Sequence, residues 1–255
     1  MDRYWVGEDA VASGLPVHMW FWRTGVMAIS RLSASLPNFT TMFCPMLENQ
    51  RFYSNFARRQ HRCVVVRCRF FMALLHFLVS PDQAQLLAML VQILGAERCI
   101  EVGVYTGYSS LAVALVLPES GFLVACERDA KSLEVAKKYY ELAGVSHKVS
   151  VRHGLASDTL HSLILNGETC SYDFAFVDAE KRMNEEYFEL LLQLVRVGGV
   201  IVIDNVLWHG KVADPMVNDM KTISIRNFNR RLMGDDRIST SMVPIGDGIL
   251  ICRKR

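Results

Sequence analysis

The sequence predicts an open α/β fold, a parallel sheet covered by helices on both faces. Three observations carry that expectation. From Val79 onward, short apolar runs alternate with segments of helical spacing, the pattern of strand–helix–strand units. The first, fourth and fifth apolar runs are nearly continuous, as strands buried on both faces require. The last two runs, Ile238–Val243 and 249–252, are separated only by a Pro-Ile-Gly-Asp-Gly turn, which predicts an antiparallel hairpin at the sheet edge.

Each element has a local cause. Ser80 and Pro81 start a helix, the serine as N-cap and the proline pre-set for the first helical position. Leu86, Leu87, Leu90, Ile93 and Leu94 then recur at helical spacing. Residues 99–102 are the first strand, ended by Gly103, and 111–117 continue a helix stopped near Pro118. Residues 122–126 are the second strand, after which Asp129 caps a helix over Ala130–Leu142. Residues 149–152 give a third, weaker strand. Tyr172–Val177 is the fourth, and a helix over 184–195 follows it. Gly198 and Gly199 punctuate the chain before the fifth strand, 200–203.

Residues 1–78 read differently. They hold 9 Lys+Arg and 4 Asp+Glu, a net of +5, against 19 and 22, a net of −3, in 79–255. Aromatic, Arg and Ser residues are mixed there without sustained periodicity. Residues 18–44 are acid-free and rich in Ser, Thr and Arg, which suits an organelle transit peptide; the alternative is a poorly ordered or loosely packed extension. The expected division is an atypical extension over 1–78 and a regular domain over 79–255.

A hydrophobic content of 51% is ample for a sizeable core, and a net charge of +2 gives no case for a nucleic-acid partner. Seven scattered cysteines without a C-x-x-C pair point to a reducing compartment. A cytoplasmic location is therefore expected, with a plastid as the alternative if the extension acts as a transit peptide. No secretory signal is read at Met1. The most membrane-like stretch, 63–79, is interrupted by Arg67 and Arg69, so no membrane association is expected.

In an open α/β sheet, ligands bind beyond the C-terminal ends of the strands. Four such ends carry chemistry here. The first holds Glu101, Gly103, Gly107 and Ser109 in a G-x-x-x-G turn, whose glycines let the backbone approach a ligand closely. Glu101 lies where its carboxylate can face an ammonium or sulfonium group. At the second, Glu127 can accept from both hydroxyls of a ribose, or simply cap the next helix. The third is Asp178-Ala-Glu180-Lys181 and the fourth is Asp204-Asn205. If their strands are neighbours they run roughly 5 Å apart, and Asp178, Asp204 and Asn205 converge. Three oxygen donors without thiol or imidazole suit a hard divalent cation such as Mg²⁺ or Ca²⁺. Either Asp alone reads more simply as a loop or cap residue; four acid-bearing ends on one rim favour a site.

The segments EVGVYTGYSSLAVAL, ELAGVSHKV, FAFVDAEK, GGVIVIDNVLWHG and PIGDGILICR, in that order, resemble the cation-dependent O-methyltransferases typified by caffeoyl-CoA and catechol O-methyltransferases. The chain is most similar to plant caffeoyl-CoA O-methyltransferase-like proteins, over 79–255. The resemblance implies a class I methyltransferase fold, Rossmann-like, with a seven-stranded sheet and one antiparallel strand. It implies S-adenosylmethionine over Gly103 and Val104, with Ser109 and Glu101 at its amino-acid end, Glu127 at the ribose and Ala156 at the adenine. Asp178 and Glu180 complete the implied cofactor set. Asp178, Asp204 and Asn205 match metal ligands, for Mg²⁺ or another divalent cation such as Ca²⁺ or Mn²⁺. Lys181 matches a proposed general base beside Asp178. Asp178 and His209 would face a small phenolic substrate, Trp208 either lines the same pocket or packs in the core, and a homodimer is implied.

The implied activity is methyl transfer to a hydroxyl of a vicinal-diol phenolic: caffeoyl-CoA-like, catechol or flavonoid. Several positions depart from the family pattern. Glu180 replaces a usual Asp, His209 a usual Asn, Met183 and Asn184 an Asn-Tyr pair, and Val79 a common Thr. With the atypical extension, they leave open a catalytically impaired, cofactor-binding relative. An NAD-dependent oxidoreductase would explain Glu127, but not the G-x-x-x-G spacing or Asp204-Asn205. Tyr105 and Tyr108 flank the cofactor or pack beside the glycine turn. Arg226, Arg230 and Arg231, at helical spacing, meet an anionic substrate or form a solvated face. Arg253-Lys254-Arg255 reads as a soluble chain end.

Overall fold

A computed structural model describes residues 79–255; the expected extension, its transit reading and the apolar stretch from residue 63 fall on residues outside this range. The strands are β1 (Arg98–Val102), β2 (Phe122–Glu127), β3 (Val149–His153), β4 (Tyr172–Val177), β5 (Val195–Asp204), β6 (Ile238–Val243) and β7 (Ile249–Lys254). The α-helices among the described residues are α1 (Pro81–Leu94), α2 (Tyr108–Val116), α3 (Ala130–Leu142), α4 (Ala156–Leu165), α5 (Asn184–Leu194) and α6 (Met220–Met233). One sheet runs β3-β2-β1-β4-β5-β7-β6. Only β7 runs against the direction of the other strands; it pairs antiparallel with β5 and, as the expected edge hairpin, with β6.

The sheet order explains the sequence pattern. β1, β4 and β5 are central, so Ile100, Val102, Ala175, Val177, Ile201 and Ile203 are all buried and both faces must be apolar. β3 is an edge strand, half exposed, and its pattern is correspondingly weak. Among the helices, α1 opens with a capping box: Ser80 N–H donates to Gln83 Oε1 (2.8 Å), and Gln83 N–H to Ser80 Oγ (3.4 Å). Asp129 caps α3, accepting from Ser132 N–H (3.0 Å). Helices α5 and α6 meet through Phe188 and Phe228, edge to face at 5.9 Å, a contact that adds about 0.5–1.5 kcal/mol beyond the area buried.

Three expectations need correction. β5 begins at Val195, not at residue 200. Gly198 and Gly199 lie inside it, where the β4–β5 register shifts between Tyr172 and Phe174. A Cβ at Gly199 would fall 2.8 Å from Asp173 O, so these glycines mark a bulge rather than a strand boundary. The C-terminal basic residues are not a loose end. Lys254 belongs to β7, and its Nζ donates to Leu192 O (2.7 Å) and Val195 O (2.9 Å), closing the end of α5. Helix α4 has no side-chain cap, so no start signal announced it. Among the described residues no helix is long and apolar enough to cross a membrane.

Candidate active site

The strand order reverses between β1 and β4, the point where an open α/β sheet forms its ligand crevice. Asp178 N–H donates to Val102 O (2.8 Å) and Gly103 N–H to Cys126 O (3.0 Å), tying three strand ends together. A Cβ at Gly103 would lie 2.5 Å from Asp178 O, and its φ is +91. No other residue fits there without moving the chain that leaves β4.

Beneath this turn lies Glu101, 1% exposed. Ser109 Oγ donates to its Oε1 at 2.5 Å, while Oε2 has no hydrogen-bond partner. Burial pushes its pKa from 4.5 to about 8; the Ser109 bond opposes the rise, and the charges of Asp178 and Glu127 add to it. A group whose pKa is raised by folding favours the fold below its unfolded value and loses that contribution as pH rises through the folded value. Stability is therefore expected to fall between pH 4.5 and about 8, relative to Glu101→Gln, which keeps an oxygen for Ser109. The slope approaches at most about 1.4 kcal/mol per pH unit. Thermal melts of both proteins across that window check this; parallel curves would contradict it.

Glu127 braces the turn more firmly than either sequence reading anticipated. Its Oε2 accepts from Val104 N–H (3.1 Å) and Tyr105 N–H (2.8 Å), and its Oε1 from Arg128 N–H (2.8 Å) and Asp129 N–H (2.9 Å).

The acids after β4 and β5 stand on adjoining strand ends, because the register pairs Val177 with Ile203. Lys181 Nζ donates to Asp178 Oδ1 at 2.6 Å, and both side chains are largely buried. Burial raises the Asp178 pKa, and the Lys181 charge opposes the rise. Burial, then repulsion from Asp178, pushes Asp204 up to about 7. Asp204 Oδ1 accepts from Gln83 Nε2 (2.8 Å) and Asn205 N–H (2.7 Å). Gln83 is a site residue that sequence reasoning missed. Its capping-box spacing was visible, but its reach to Asp204 depends on tertiary packing. Among the described residues no group of three or more His, Cys, Asp and Glu side chains is placed to hold a metal ion. The expected donor set is two aspartates with an asparagine. Two largely buried carboxylates, one of which raises the proton affinity of the other, suit a cation.

Beyond Asp204 the chain takes left-handed backbone at Asn205, Trp208, His209 and Gly210, at roughly 1–2 kcal/mol for each non-glycine residue. Lys221 Nζ lies 5.4 Å above the Trp208 ring and 3.6 Å from Glu180 Oε1. Glu180 also accepts from Arg182 N–H at 3.3 Å, opening the short turn that carries Lys181. Arg226 is not free for an anionic substrate: its guanidinium donates to the carbonyls of Lys211, Val212, Asp214 and Val217. Arg231 is likewise committed to Glu185 and Glu189.

A cleft of about 330 Å³ opens at these strand ends. Of the expected residues, Gly103, Glu127, Ala156, Asp178, Glu180, Lys181 and Trp208 line it, together with Tyr105. Arg128, Tyr187 and Lys221 line it as well and were not anticipated. Glu101, Val104, Ser109 and Asp204 are buried rather than lining it, as is Tyr108. Asn205 and His209 are not among the lining residues.

Comparison with known proteins matches this geometry to a family. The sequence profile described as O-methyltransferase matches residues 62–255, starting ahead of Val79. Tricin synthase 1 of Oryza sativa subsp. japonica is 49% identical over 185 residues, covering 69% of this chain and 73% of that protein. Probable caffeoyl-CoA O-methyltransferase 2 of Dictyostelium discoideum is 42% identical over 178 residues, covering 69% and 77%, so the similarity is not confined to plants. The O-methyltransferase TomG of Streptomyces achromogenes, solved in complex with S-adenosylmethionine, is 35% identical with a TM-score of 0.66, covering 70% of this chain and 82% of that one. An oxidoreductase is thereby set aside. The chain belongs to the O-methyltransferase family, as an S-adenosylmethionine-dependent enzyme on a class I methyltransferase fold.

Proposed function

We propose that this enzyme methylates one hydroxyl of a small phenolic bearing two vicinal hydroxyls, with a divalent cation at Asp178, Asp204 and Asn205. One observation carries the reading. Two largely buried carboxylates, Asp178 and Asp204, stand on neighbouring strand ends beside a cleft floored by a glycine turn, and the charge of Asp178 adds to burial in raising the proton affinity of Asp204. The names of the relatives, tricin synthase and caffeoyl-CoA O-methyltransferase, support a phenolic acceptor.

When bound, S-adenosylmethionine supplies the methyl group and the cation stabilises negative oxygen. The residues do the rest. Glu101 Oε2, unpartnered and buried, receives a cationic group of the methyl donor. Glu127 keeps the glycine turn shaped, and Ala156 leaves room on the cleft wall. A phenol with a pKa near 10 is mostly protonated at neutral pH, so its proton must leave. Lys181, held 2.6 Å from Asp178 Oδ1 at the cleft wall, is the base that would take that proton at Nζ. Trp208 offers a flat face to the acceptor ring.

The test is turnover on caffeoyl-CoA, caffeate, a flavonoid and catechol, with and without EDTA. Chelation is expected to lower turnover more than about 100-fold, and added Mg²⁺ to restore it. Undiminished turnover in EDTA overturns the cation reading. Cofactor binding with no turnover on any acceptor would favour a catalytically impaired relative.

A further inference from the structure

We propose that Asp247, in the turn between β6 and β7, is a positioning residue for the chain segment that carries Asn205 and Trp208. The turn packs directly against the chain leaving β5. Three backbone N–H groups of that chain donate to it: Val206 to Gly248 O (3.1 Å), Leu207 to Asp247 O (3.0 Å) and His209 to Asp247 Oδ1 (2.6 Å). The first two bonds end on main-chain carbonyls. The third depends on the Asp247 side chain alone.

That third bond falls where the backbone needs it. Trp208 and His209 are successive non-glycine residues at φ 48 and 55, a conformation that L-residues hold only when their surroundings impose it. There is no slack nearby, since a Cβ at Gly248 would lie 2.4 Å from Leu207 Cγ. The Asp247 side chain is 15% exposed, and its Oδ2 makes no hydrogen bond. His209 Nδ1 lies 3.7 Å from that oxygen, so the short contact is the backbone one.

The same turn reaches the carboxylate side of the site. A Cβ at Gly246 would lie 2.7 Å from the Gln83 amide, and Gln83 donates to Asp204 Oδ1. One hairpin turn thus braces both Asp204 and Trp208. Asp247 does not line the cleft; it acts through the ring that does. The consequence for turnover rests on reading the cleft as the acceptor site, whereas the consequence for Trp208 itself does not.

The experiment is ¹⁹F NMR on full-length protein labelled with 5-fluorotryptophan, the Trp208 signal being assigned by its loss in Trp208→Phe. Asp247→Ala is expected to shift or broaden that signal and to raise the acceptor KM about 10- to 100-fold, with cofactor affinity unchanged. Asp247→Asn keeps Oδ1 as an acceptor and is expected to restore both. Asp247→Glu keeps the charge but displaces the oxygen, so it should shift the signal too; it carries the test if the alanine variant does not fold. An unmoved Trp208 signal in both Asp247→Ala and Asp247→Glu overturns the inference, as does an Asn variant that behaves like the alanine one. A moved signal without wild-type turnover on any acceptor supports the positioning role and instead defeats the proposed function.

Discussion

Asp204→Ala is expected to lower kcat at least about 1,000-fold while leaving S-adenosylmethionine affinity within about threefold of wild type. Asp204 is buried at the end of β5, separated by β4 from the glycine turn that follows β1, so its loss is expected to spare the cofactor side. Its Oδ1 satisfies two donors, Gln83 Nε2 and Asn205 N–H. The alanine variant strands both, at a cost of about 1–3 kcal/mol for each buried group left unmet, and this confuses stability with chemistry. Asp204→Asn separates them. It keeps an oxygen for both donors and removes only the charge, so it should melt near wild type yet turn over no better than alanine. Steady-state kinetics, isothermal titration with cofactor and a thermal melt check all three expectations. An active Asp204→Asn would show that its charge is not needed.

Glu127→Ala is expected to give the reverse pattern: cofactor affinity weakened roughly 100-fold, about 2.7 kcal/mol, with cation affinity little changed. Four backbone N–H groups lose their acceptor together, and two of them, from Val104 and Tyr105, shape the turn on which the cofactor is expected to lie. Hydrogen bonds to a charged group contribute about 1.5–3 kcal/mol each, but flexible turns recover part of that through water. Glu127→Gln should fall between, because one of its two acceptor oxygens becomes a donor. Titration calorimetry on the three proteins measures this directly. A variant that loses stability without losing cofactor affinity would make Glu127 a brace for the turn and nothing more.

The parts of this molecule that could be read from the chain are those set by local chemistry or by burial on two faces. β1, β4 and β5 announced themselves because the centre of a covered sheet strongly favours apolar side chains on both faces. α1 and α3 were legible from Ser80, Pro81 and Asp129, which act on their own first turns. The strand-end acids stood out because polar residues at such ends have a restricted set of uses. What escaped depends on distant partners. Gln83 looks like a cap residue until the fold carries its amide to Asp204. Arg226 looks free until the loop after β5 offers it four carbonyls. Gly198 and Gly199 look like a boundary until β4 shows that they accommodate a bulge. α4 lacked a capping side chain, and without one a helix of 10 residues has little local signature.

Glu180 and His209, the two departures nearest the cleft, find partners of their own. Glu180 pairs with Arg182 and Lys221, and His209 donates its backbone N–H to Asp247.

Anomalous diffraction from a crystal soaked in Mn²⁺ tests the shared cation most directly. One peak is predicted, within coordinating reach of carboxylate oxygens from both Asp178 and Asp204 and of the Asn205 side-chain oxygen. A peak elsewhere, or none while the protein still transfers methyl groups under the same conditions, would contradict it.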